Sequence, residues 1–67
     1  MTATYDVRVE ESNGAWSVHI VDAAGEPVFQ RACADEGEAH LFASTVRQHL
    51  AWLSPDRFRR YYRLPEA

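Results

Sequence analysis

A chain of 67 residues that is 46 % apolar and 25 % charged, with three glycines and three prolines, describes one folded domain. Chains this short bury only about 60 % of their unfolded surface, which excludes a second core. The lone Cys33 excludes an intramolecular disulfide and a multi-cysteine metal site, and the formal net charge of −3 excludes a strongly basic nucleic-acid binder.

No apolar run approaches the roughly 18 residues of a membrane span. The opening MTATYDVRVEE has neither a basic nor an apolar signal region. A cytoplasmic protein without membrane contact is the expectation. Charge is divided along the chain: residues 1–38 carry eight acidic residues and two arginines, whereas residues 39–67 carry two acidic residues and five arginines. All seven basic residues are arginine.

Residues 4–11 alternate with period two, which places Tyr5, Val7 and Val9 on one face and Asp6, Arg8 and Glu10 on the other. Asn13-Gly14 follows, the pair best suited to the two positive φ angles of a type I′ turn. The alternation then resumes with Trp16, Val18 and Ile20. A two-residue loop pairs Ser12 with Ala15, and hence Val9 with Val18 and Val7 with Ile20. In DAAGEP, Ala23-Ala24-Gly25 forms a second loop with Gly25 left-handed. A third strand over about 26–33 has two registers open to it. One puts Val28, Gln30 and Ala32 on the core face; a one-residue shift puts Phe29 and Cys33 there.

Asp35 opens a helix as N-cap, with Glu38 reaching back in a capping box. At 100° per residue, Ala39, Phe42, Ala43, Val46, Leu50 and Leu53 form one stripe, which the pattern lays across the sheet. Ser54-Pro55 ends this helix and starts a shorter one, DRFRRYYRL, that stops before Pro65. Its Phe58, Tyr61 and Tyr62 fall on the side expected to pack against the domain, and Arg59, Arg60 and Arg63 on the other. The first three and last three residues are expected to fray. The fold class is α+β: a three-stranded antiparallel meander packed by one long helix and followed by a short one.

No phosphate-binding glycine loop, HExxH or CxxC motif is present. His40 and His49 point to opposite sides of the long helix, and His19 lies on the outward strand face near Arg8, so the histidines share no metal. Ser17, Ser44 and Thr45 have no His and acid placed by the pattern to activate them. No enzyme activity, cofactor or metal is expected.

Two surface features invite partners. Leu41 and Trp52 share an azimuth opposite the core stripe, beside Thr45 and Gln48. Either the second helix folds back to cover them, or they form a surface for another protein or a weak homodimer. In RFRRYYR, Arg57, Arg59, Arg60 and Arg63 interleaved with aromatics suit phosphates and bases, although the acidic first half repels a polyanion and makes nucleic acid the lesser expectation.

The segment TYDVRVEESNGAWSVHIVD resembles the opening strand, turn and aromatic-led second strand of the N-terminal domain of HicB-type antitoxins. QRACADEGEA is similar to that family's Gln followed by a Thr-x-x-Glu-Ala helix start, with Gln30, Glu38 and Ala39 in place and Asp35 where the Thr stands. Two departures are DAAGEP in place of a Pro-rich turn, and no helix-turn-helix or ribbon-helix-helix segment within these residues. The resemblance implies a non-catalytic, degenerate ribonuclease-H-like module that binds a small toxin; the second departure puts autoregulation of an operon by these residues in doubt. The strand and helix order also resembles the arm-binding domains of phage integrases, whose sheets read DNA with basic faces; this one is acidic.

Overall fold

The computed structural model describes residues 5–65; the expectations for Thr4 and for fraying at residues 1–3, 66 and 67 lie outside them. The two periodicities of the sequence become β1 (Tyr5–Ser12), β2 (Ala15–Asp22), β3 (Pro27–Cys33), α1 (Glu36–Trp52) and α2 (Pro55–Tyr61). The strands form an antiparallel meander in the order β1-β2-β3, and α1 packs on one face of it.

The first hairpin follows from its turn. Asn13 and Gly14 have φ of 53° and 82°, as a type I′ turn requires, and the Glu11 carboxylate accepts from the Gly14 N–H at 2.7 Å. Val7 stands opposite Ile20 and Val9 opposite Val18.

In the second loop Gly25 is left-handed at φ 84°. The Asp22 carboxylate accepts from the N–H groups of Ala24 and Glu26 at 3.0 and 2.9 Å. One extra residue then enters β3 between the pairs Val21–Pro27 and Ile20–Phe29. This bulge realises the shifted register, with Phe29, Arg31 and Cys33 opposite Ile20, Val18 and Trp16. The physical reason is burial: Pro27 has no N–H to give the ladder, and the shift turns Phe29 toward Phe42 and Tyr62, ring centroids 6.2 and 5.7 Å away. The other register would have turned polar Gln30 inward.

Asp35 is the N-cap of α1, its carboxylate accepting from the Glu38 N–H at 2.8 Å. Only this half of the capping box forms among the described residues. Small Ala39 and Ala43, with Val46, let the helix lie close to the sheet and are fully buried with Val18, Ile20 and Phe58. Phe42, Leu50 and Leu53 pack around that centre. Phe58 carries α2 into the core, its ring 5.3 Å from that of Tyr5.

The second helix is shorter than its pattern suggests. It ends at Tyr61, with Tyr62 as C-cap and Arg63 left-handed at φ 55°. The N–H groups of Leu64 and Arg63 donate to the carbonyls of Arg59 and Arg60 at 2.8 and 3.3 Å, the bond pair of a Schellman stop. This reversal buries Leu64. It also corrects the expectation that Tyr61 packs against the domain beside Phe58 and Tyr62: Tyr61 is 63 % exposed.

The outer edge of β1 is guarded at its middle. Pairing with β2 leaves the backbone of Val7 facing away from the sheet. There its N–H donates to the Asp6 carboxylate at 2.8 Å, and its carbonyl accepts from the Arg47 guanidinium at 3.3 Å.

Candidate functional site

Among the described residues three large apolar side chains remain in solvent: Leu41 at 72 % exposure, Trp52 at 75 % and Tyr61 at 63 %. The second helix does not fold back over Leu41 and Trp52, because its capped start at Ser54 and its buried Phe58 aim it at the open end of the core beside Tyr5. Thr45 and Gln48 are exposed between them. The Thr45 hydroxyl donates to the Leu41 carbonyl at 3.1 Å, which leaves its oxygen able to accept another bond. The four residues form one line along α1, with Leu41 and Trp52 about 16 Å apart.

Tyr61 widens this face. Its ring lies 4.7 Å from that of His49 and 4.9 Å from that of Tyr62, and His49 is one turn before Trp52 on α1. The Tyr62 hydroxyl and His49 Nδ1 are 2.6 Å apart. Burial, and secondarily the neighbouring Tyr61, push the Tyr62 phenol above its usual 10.0. The wheel that put all three aromatics of the second helix in the interior missed Tyr61. No local signal announces this, because Arg63, where the chain turns left-handed, is neither of the residues, glycine or asparagine, that mark such a stop.

The basic residues are less united than their spacing suggests. Arg59, Arg60 and Arg63 line one shallow hollow together with Asp56 and Leu64, and Arg59 pairs with Asp56 at 3.2 Å. Arg57 and Arg60 line a second, more apolar hollow with Leu53 and Tyr61. Arg60 alone belongs to both.

On the open face of the sheet the structure brings together three residues that the pattern did not. Ser17 Oγ lies 3.0 Å, and a Glu10 carboxylate oxygen 3.2 Å, from Nε2 of His19. Serine and histidine are two apart on one strand, and Glu10 stands opposite Ser17. Both contacts end on the same ring nitrogen, whereas a nucleophilic relay needs the hydroxyl on one nitrogen and the acid on the other. His40 lies near Glu36 at 3.7 Å and against the Trp16 ring. Among the described residues no group of three His, Cys, Asp or Glu side chains is placed to hold a metal ion, and no helix is long and apolar enough to cross a membrane. No family model matches the chain, no curated protein matches its sequence, and no solved structure matches its fold.

Proposed function

We propose that this protein is a small protein-interaction module that masks a partner's surface and performs no chemistry itself, in the manner of a HicB-like antitoxin domain. The observation that carries this reading is the exposure of Leu41 and Trp52 on a helix whose other side is committed to the core. Two such side chains in water forfeit several kcal/mol of burial at about 25 cal/mol per Å², a cost for which a folded domain has no internal use. Thr45 and Gln48 between them supply the polar contacts that orient a partner.

The test is co-expression with a small toxin of the kind HicB-type antitoxins bind, in cells that the toxin arrests. Growth resumes with the wild-type chain and stays arrested with the Leu41→Ser, Trp52→Ser double variant, whose folding is checked by circular dichroism. Equal rescue by both overturns the assignment of the surface.

A second reading rests on Arg57 and Arg60, exposed beside Tyr61 and Leu53. That combination suits a phosphate with an adjoining base. Salt separates the two readings, since phosphate contacts weaken steeply with ionic strength and apolar contacts do not. We expect no submicromolar binding to a short oligonucleotide at physiological salt.

A further inference from the structure

We propose that, in the absence of another partner, the exposed face of α1 is covered by a second copy of this chain, lying antiparallel about a two-fold axis. This rests on the reading of that face as a protein-docking surface and names its occupant.

The first argument is register. A two-fold axis midway between Leu41 and Trp52 also lies midway between Thr45 and Gln48. One antiparallel alignment therefore sets Leu41 against Trp52 of the second copy and Thr45 against its Gln48, twice over. The Thr45 oxygen, already donating to the Leu41 carbonyl, accepts from the facing Gln48 amide. An isologous contact requires such self-matching, and all four exposed residues of the line satisfy it together.

The second argument is charge. In the first turn of α1 exposed Glu38 stands about 60° from the Leu41 line, on the flank of the face, and the far end of the face carries Arg57 and Arg60 beside Tyr61. In the antiparallel pair each acidic end meets the basic end of the other copy, and the two helix dipoles oppose one another. A parallel pair would set acid against acid and arginine against arginine. A polyanion would meet Glu38 at one end of the same face. The small apolar area makes a dimer that dissociates on dilution.

Sedimentation velocity of the full chain across a micromolar concentration series is the experiment, with circular dichroism to confirm folding. Wild type shifts from monomer to dimer as concentration rises, and Trp52→Ser or Leu41→Ser stays monomeric throughout. Glu38→Arg and Arg57→Glu each weaken association about tenfold, and the double variant Glu38→Arg, Arg57→Glu restores it to within about threefold. The Glu38 side chain is exposed, and the N-cap bond to Asp35 uses its backbone N–H, so its reversal leaves the fold intact. A wild type that stays monomeric, or a double reversal that is no better than the single ones, overturns the second copy as occupant. Growth rescue by the co-expressed chain judges the docking surface separately.

Discussion

Tyr62 Oη and His49 Nδ1 lie 2.6 Å apart and join the end of α2 to the last turns of α1. Tyr62→Phe removes this bond while keeping the ring against Phe29 and Phe58. The expected loss is about 1 kcal/mol, read from urea denaturation.

The same phenol has a pH signature. Its folded pKa is raised above 10.0 by burial and then by Tyr61, so the folded state holds the proton more tightly than the unfolded one. The stability it contributes is fully present below pH 10 and is lost as pH rises through the folded value. Wild type should lose thermal stability more steeply above pH 10 than Tyr62→Phe, measured side by side.

Arg63 adopts the left-handed conformation that closes α2, a position where a side chain is strained and glycine is not. Arg63→Gly should raise stability by about 0.5–1 kcal/mol. Leu64→Ala, which empties the buried side of the same reversal, should lower it by about 2 kcal/mol or more. Chemical denaturation of the two variants distinguishes the outcomes.

Asp35→Ala should cost about 1 kcal/mol, because the carboxylate that accepts from the Glu38 N–H is lost. Amide exchange in residues 36–39 should accelerate by an order of magnitude or less, while that of Val46 follows global stability.

Phe58 is completely buried at the meeting of α2, β1 and α1. Phe58→Ala should cost about 3–5 kcal/mol. A domain of this size holds only a few kcal/mol in reserve, so a large fraction of the variant should be unfolded by circular dichroism at room temperature.

Local signals dictated most of this architecture. Asn13-Gly14, Gly25, Asp35 and Ser54 each mark a turn or cap whose chemistry is decided within a few residues, and the first hairpin register follows arithmetically from a two-residue loop. The register of β3 does not, because the bulge at Val28 is decided by what Phe29 gains from Phe42 and Tyr62, residues distant in sequence. The fate of Tyr61 depends likewise on where α2 stops, and Arg63 takes a conformation for which its side chain offers no advance sign. The exposed line from Leu41 to Trp52 was visible as an azimuth. Whether α2 covered it was decided by the burial of Phe58. The meeting of Glu10, Ser17 and His19 needed both the strand period and the register at once.

The hydrogen bonds that Val7 makes to Asp6 and Arg47 bear on how the chain behaves when crowded. Fibre growth by strand stacking consumes two free borders per molecule, one to receive a neighbour and one to offer the next. Here the middle of β1 is sealed by its own side chains, while Gln30 and Ala32 on the far border of β3 have no such guard among the described residues. The two borders therefore differ: an incoming strand meets occupied backbone groups at the middle of β1 and open ones at Gln30 and Ala32. Arg47, charged and far from the exposed face of α1, is one half of the guard on this border and Asp6 is the other.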